Sequence, residues 1–301
     1  LMSFTVTTAF VQQYNSNVEL LLQQRGSKLR DTVRVKSGVV GEADYVDQIG
    51  AVIPQKVTTR HADSPLISTP HDRRKITPVD YDIGDMIDGE DRLRTMADFE
   101  SPYVENAGLS FGRQIDQVII DAVSGSAYSG KAGGTTETFD TGQRVAVDYV
   151  ESGAAANSDL TIGKLREAKR LLDVNNVPQG ERTLVITSSQ INSLLRSTEI
   201  GSVDFNETRA LVDGRISKFM GFDFKDVEDT DNVGLALSTN TRTCIGYHKT
   251  GIQLNMWKDI QTNIDQRSDK RFSWYYMMTM TLGATRLQEE SVIEILCDES
   301  A

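Results

Sequence analysis

The residue sets that could carry chemistry are few, and each lacks a member. Gly125-Ser-Ala-Tyr-Ser-Gly130-Lys131 has the Gly-x-x-x-x-Gly-Lys spacing that cradles phosphate in backbone N–H groups. Ala132 stands where a Ser or Thr hydroxyl would hold magnesium, and the segment follows an expected helix instead of a strand. It reads as a flexible glycine-rich connection. The histidines are His61, His71 and His248, with no His-Glu-x-x-His and no Gly-x-Ser-x-Gly. His61 and His71 would need Asp63 or Asp72 to build a loop metal site, and solvated loop histidines are the simpler expectation. Cys244 and His248 sit four residues apart. That is about 13 Å along a strand, so they could pair only across a turn. Cys244 and Cys297 are the only cysteines and both lie in apolar stretches, which points to buried free thiols and to no disulfide framework.

Carboxylates form the densest chemical cluster. Val79 to Glu105 holds nine of them against Arg92 and Arg94, for a net charge of −7. Asp82, Asp85, Asp88 and Glu90 lie close enough together to suggest a hard cation, yet no twelve-residue calcium loop fits Asp80–Asp91. The stretch before it, Pro54 to Pro78, carries Lys56, Arg60, Arg73, Arg74 and Lys75 against two acids, net +3. Adjacent blocks of opposite sign suit complementary faces, within one subunit or between copies; a plain solvated face is the alternative. The expected contact residues between copies are therefore Lys56, Arg60, Arg73, Arg74 and Lys75 facing Asp82, Asp85, Asp88 and Glu90. No catalytic, cofactor-binding or metal-binding set is assigned.

The whole chain has 301 residues, 39% hydrophobic and 25% charged, an ordinary globular composition that allows one large or two modest domains. Its net charge of −11 argues against a protein that grips a nucleic-acid backbone, which needs concentrated positive charge. No run of 18 apolar residues and no leader pattern occurs, so a soluble product of a reducing compartment with no membrane partner is expected.

The elements that position these residues follow from spacing. Residues 4–25 turn helical at Phe10 or Val11, Tyr14, Val18 and Leu21, and residues 1–36 form a mildly basic arm, net +3. Residues 37–80 hold four of the six prolines, with short β-prone pieces at 45–53, 56–60 and 74–79. That fits a long two-stranded excursion with its tip in 61–72, without a core of its own and held by something else. Ser101-Pro102 opens the longest helix, carried to Val123 by Tyr103, Ala107, Phe111, Ile115, Val118, Ile119 and Ala122. Gly108 and Gly112 weaken it by about 1 kcal/mol each unless something packs closely there.

Beyond a Gly- and Ser-rich stretch at 124–158, with one strand expected at 144–150, the pattern becomes α/β. Helices are expected at 162–173, 189–196 and 207–219, with strands at 183–187, from Phe222, and at 242–247. Then Ile252, Leu254 and Met256 alternate, and Phe272, Trp274, Tyr276, Met278, Met280 and Leu282 share one parity. This predicts one long strand whose matching partner is the helix 101–123, followed by a last strand at 292–297. The fold class is α+β, with 150–247 inserted between 81–149 and 248–301.

Two segments resemble the major capsid proteins of tailed double-stranded DNA bacteriophages. One is Leu184-Val-Ile-Thr-Ser-Ser-Gln-Ile-Asn-Ser-Leu-Leu195 with Arg209 through Gly221-Phe-Asp-Phe224; the other is Asp269-Lys-Arg271 leading through the long strand to Gly283-Ala-Thr-Arg-Leu287 and Val292–Cys297. Gly112-Arg-Gln-Ile-Asp116 has the same look, and the order of parts agrees along nearly the whole chain.

The resemblance implies an HK97-like fold: N-terminal arm 1–36, extended β-hairpin loop 37–80, a peripheral domain over 81–149 and 248–301 with its spine helix, and an axial domain over 150–247. It implies a self-assembling subunit of hexamers and pentamers in an icosahedral shell that encloses DNA without binding it specifically. Assembly would take place in the host bacterial cytoplasm with a separate scaffolding protein and a portal, and decoration proteins are a further kind of partner. Some relatives crosslink a lysine of this loop to a neighbouring asparagine; neither Lys56 nor Lys75 is matched to that role. The competing functions are another phage structural or decoration protein, or a soluble α/β enzyme with a site in 150–247.

Overall fold

The computed structural model describes residues 24, 26–60, 66–87, 100–151, 153–196, 218–227 and 234–300. Along the chain run β1 (Arg34–Ser37), β2 (Asp44–Ile49), β3 (His71–Ile76), β4 (Val79–Ile87), α1 (Glu100–Ser124), β5 (Ala127–Ser129), β6 (Thr135–Glu137) and β7 (Arg144–Val145). They are followed by α2 (Ile162–Val174), β8 (Arg182–Ile186), α3 (Ser188–Arg196), β9 (Lys218–Phe219), β10 (Phe222–Asp226) and β11 (Leu237–Ser238). The chain closes with β12 (Thr241–His248), β13 (Ile252–Arg267), β14 (Ser273–Arg286) and β15 (Val292–Asp298).

Three sheets result. The first has the order β1-β13-β14-β4. Tyr276, Met278, Met280 and Leu282 of β14 are buried, as their shared parity requires, and α1 packs across β13 and β14 with Phe111, Ile115, Ile119 and Val123. The match for the long strand is therefore another strand as well as the helix. β13 extends to Arg267 and pairs with β14 from Ile252↔Arg286 to Arg267↔Ser273, through irregularities between Met256 and Gln261. Those bulges break the alternation after Met256, which hid the second half of β13 from a period-2 search. Phe272 does not belong to the stripe. It shares a left-handed turn with Arg271 (φ 58° and 51°) and is exposed.

The second sheet has the order β7-β15-β12-β8-β10-β9, with β11 on β12. β8 and β10 run parallel. α2 begins at Thr161, whose hydroxyl accepts the Lys164 N–H, and packs on β15 and β7. The expected domain limits need correction here. β7 and β15 complete this sheet, so 144–145 and 292–298 lie with the α/β layer and not with the spine-helix sheet. A strand apolar on both faces, as β15 is, demands neighbours on both sides and layers above and below; its own pattern does not say whose. The strand expected at 144–150 shrinks to Arg144–Val145.

The third sheet, β2-β3-β5-β6, corrects the reading of 37–80 as a stretch with no anchorage on its own chain. β2 and β3 pair antiparallel from Asp44↔Ile76 to Ile49↔His71, and β3 also pairs with β5 at Arg74↔Ser129 and Lys75↔Tyr128. The base of the hairpin is thus tied to its own subunit, while residues 51–58 and 66–70 have no regular structure and are almost wholly exposed. The β-prone piece expected at 56–60 is not a strand.

The end of the arm is likewise part of the subunit. Leu29 and Val33 are buried, and β1 adds to β13 in parallel. Asp116 of α1, fully buried, accepts from Ser27 Oγ at 2.5 Å and from the Lys28 and Leu29 N–H groups at 3.0 Å. Gly112, one turn earlier, explains how the backbone comes so close. A Cβ there would stand 2.6 Å from Gly26 C and 2.9 Å from Ser27 N. Among the described residues nothing lies within 4 Å of the same position on Gly108. The helix expected within 4–25 lies outside the described residues apart from Gln24. So does that at 207–219, except that Lys218 and Phe219 form a strand.

Candidate assembly interface

The groups singled out for catalysis are placed in structural roles. Gly125–Lys131 follows the helix α1 and forms β5 with its turn, so its N–H groups feed a sheet and no strand–loop–helix cradle exists. His248 Nδ1 lies 2.8 Å from Thr250 Oγ1. Both cysteines are buried free thiols, and burial together with a hydrogen bond to Cys297 pushes the Cys244 thiol up. His71 is exposed, while His61 and Asp63 lie outside the described residues. Among the described residues no group of three or more His, Cys, Asp and Glu is arranged to hold a metal ion, and no helix is long and apolar enough to cross a membrane. A cleft of about 500 Å³ borders β8 and β10. Its charged walls pair with one another: Lys218 with Asp223 at 3.0 Å and Lys249 with Glu181 at 3.8 Å.

The expected contact residues divide into two groups. Arg73 is bound within the hairpin, Nε to Asp47 Oδ1 at 2.5 Å and Nη2 to Oδ2 at 3.2 Å, over the Tyr45 ring. That hydrogen bond holds the Asp47 carboxyl below the usual range. Arg74 is a correction. It is only 7% exposed, donates Nε to the Leu287 carbonyl at 3.2 Å and faces Glu289, so it serves its own subunit. Strand alternation decides this, because residues 73 and 74 of one strand must point to opposite faces. Lys75 is half-buried on the same strand. Lys56 and Arg60 are exposed on the projecting part of the hairpin. Asp82 and Asp85 are exposed on β4, which forms one edge of the first sheet; Asp88 and Glu90 lie outside the described residues.

The projecting hairpin also presents apolar side chains with nothing over them. Ile49 is 71% exposed, Ile53 84%, Val57 76% and Leu66 100%. A second apolar spot, Met86, Ile264 and Phe272, marks the far end of the first sheet. Exposed apolar surface on this scale marks a contact site.

The family described as phage capsid protein matches residues 6–299. The chain belongs to this family. It is a major capsid protein, a subunit of a phage shell, and its fold is HK97-like. The capsid structure of cyanophage P-SCSP1u is similar to it over 96% of this chain and 93% of that one, at 15% identity and a TM-score of 0.75. The capsid of Helicobacter pylori bacteriophage KHP30 is similar over 99% of each chain at 12% identity and TM-score 0.72. That of cyanophage Pam1 is similar over 100% of each at 13% and 0.71. No curated protein matches the sequence.

For a coat subunit the informative surface is the one it leaves uncovered. Charge alone named Lys56, Arg60, Arg73, Arg74 and Lys75 together; of these Lys56 and Arg60 are exposed, Arg73 and Lys75 half-buried, and Arg74 turned inward. The exposed apolar residues Ile49, Ile53, Val57 and Leu66 were not singled out from the sequence. Their signal was present: branched apolar residues spaced among prolines in a stretch unable to close a core. The Gly112–Asp116 clamp was visible only as a motif without a role.

Proposed function

We propose that copies of this coat subunit assemble as hexamers and pentamers into an icosahedral shell around double-stranded DNA. The extended hairpin of each copy lies on a neighbour. The observation that carries this reading is the run of exposed apolar residues on the projecting hairpin, from Ile49 to Leu66. Covering each one would contribute about 1.5–3 kcal/mol, repeated at every copy. Lys56, Arg60 and the outer part of Arg73 and Lys75 set register against Asp82, Asp85, Asp88 and Glu90 of the neighbour. Isolated exposed pairs contribute about 0–1 kcal/mol, so charge orients while apolar contacts bind. A separate scaffolding protein and a portal act during assembly in the host bacterial cytoplasm, and decoration proteins are a further kind of partner. The net charge of −11 keeps adhesion to packaged DNA weak.

The test is sizing and negative-stain imaging of the expressed chain, alone and with phage lysate. Capsomers, tubes or shells are expected. A small closed oligomer that never grows would defeat the reading. The double reversal Lys56→Glu and Arg60→Glu is expected to slow assembly while the subunit folds normally.

A further inference from the structure

Three charged side chains lie in a row where the extended hairpin meets the end of the spine helix α1. Arg286 of β14 is fully buried and donates from Nη1 to the Val123 carbonyl at 2.6 Å and the Gly125 carbonyl at 2.7 Å. These are among the carbonyls that a helix leaves without intrahelical partners at its C-terminus, where positive charge is favoured. Arg286 Nε binds Glu289 Oε2 at 2.5 Å. The other oxygen of Glu289 lies 3.6 Å from Arg74 Nη2, too far for a hydrogen bond. Arg74 belongs to the hairpin strand β3. Its Nε shares the Leu287 carbonyl with Gln48 Nε2 of β2, at 3.2 and 2.8 Å. Glu289 Oε1 and Arg74 Nη1 are buried and have no hydrogen-bond partner among the described residues.

One carboxylate therefore serves two guanidiniums, bonded to the one on the helix side and just short of the one on the hairpin side. We propose that Arg74, Glu289 and Arg286 form a clasp that couples the pose of the extended hairpin to the last turn of the spine helix. The hairpin is also attached by the two-residue ladder between β3 and β5 and by Asp44 of β2, which accepts from Asn255 Nδ2 at 2.7 Å; β5 starts only three residues past the helix end, so the ladder and the Arg74 contacts converge on one hinge. A tilt of the hairpin toward the body brings Arg74 Nη2 into hydrogen-bond range of Glu289 and satisfies the buried Glu289 Oε1. A tilt away leaves Glu289 to Arg286 alone. Buried charged groups with unmet hydrogen bonds favour the first arrangement, and the pair of arrangements gives the element two discrete states. The three are positioning residues. The inference stands on the geometry of one subunit and goes beyond the shell-building reading.

Amide hydrogen exchange on the full-length soluble subunit tests it. Arg74→Gln is expected to raise exchange about tenfold at β3 and also at the helix end, Ile119–Gly125, which Arg74 itself does not touch. Glu289→Gln should do the same, and the double variant should exchange no faster at the helix end than either single variant. Arg73→Gln, whose partner Asp47 lies inside the hairpin, should leave the helix end at wild-type rates. Faster exchange confined to 71–76 in Arg74→Gln, or multiplying effects in the double variant, would overturn the coupling. Arg74→Lys keeps the charge without the fork and carries the same two outcomes should the glutamine variant fail to fold.

Discussion

In the seven-stranded sheet, β8 lies between β12 and β10 with all five of its residues buried. In the hairpin, β2 alternates half-buried and exposed, and residues 50–60 beyond it are exposed throughout. Both regions are rich in Ile and Val. What separates them is who supplies the cover. The layer's apolar residues are closed by its own strands and by α2, and Lys164 of α2 ties it further. Its ammonium donates to the carbonyls of Val147 at 2.9 Å, Ser158 at 2.6 Å and Leu296 at 2.9 Å, although burial pushes its pKa down. Among the described residues none covers the hairpin's Ile49, Ile53, Val57 and Leu66. A region finished inside one chain supplies stability, and a region left unfinished supplies contacts.

Substitutions should separate the two regions. Lys164→Met has the largest expected effect, because it removes three hydrogen bonds that run from a fully buried ammonium to the Val147, Ser158 and Leu296 carbonyls. A loss of about 3–5 kcal/mol in denaturant unfolding is expected, and a loss below about 1 would mean that the layer does not depend on this tie. Gly112→Ala comes next, at about 2–3 kcal/mol, since its Cβ would displace Gly26–Ser27 from Asp116. Its counterpart Gly108→Ala meets nothing among the described residues and should gain about 0.5–1 kcal/mol from helix propensity. Equal effects at the two glycines would remove the arm clamp as an explanation.

Acid tests the edge of the layer. The hydrogen bond from Arg242 holds the Glu299 carboxyl below its ordinary 4.5. A carboxylate whose folded pKa is depressed stabilises above its unfolded pKa and loses that contribution as pH falls through the folded value. Stability is therefore expected to drop as pH falls below about 4.5, and Glu299→Gln should flatten about 1 kcal/mol of that slope. An unchanged slope in the variant would assign the acid sensitivity elsewhere. The smallest effect on folding belongs to the hairpin. Ile53→Asp with Val57→Asp should change subunit stability by no more than about 0.5 kcal/mol while particle formation is lost in sizing and imaging. A large fall in the subunit's own stability would show that these residues are covered within it.

The helices were legible because their signals are local. Ser101-Pro102, the i, i+4 apolar spacing behind it and the stop at Ser124-Gly125 lie within one run of chain, and α1 follows them to within a residue. The helical spacing of 162–173 and the parity of β14 from Trp274 to Leu282 are of the same kind. The second half of β13 was not legible, because bulges between Met256 and Gln261 interrupt the alternation. The candidate interface was half legible. Net charge marked the two blocks, but only the pleat of β3 assigns Arg73 outward and Arg74 inward to Leu287 and Glu289.

By itself the sequence determined the helices α1, α2 and α3, the strands β8 and β14 and the proline-rich excursion, since those depend on neighbours a few residues away. It also determined that 37–80 has too little apolar material to close over itself. Only the tertiary structure decided that β15 and β7 complete the α/β layer, that the arm is clamped at Gly112 and Asp116, and that Arg74 faces inward. Strand hydrogen bonds and close backbone approaches join residues from about 85 to more than 200 positions apart, and the identity of a residue does not carry the address of its partner.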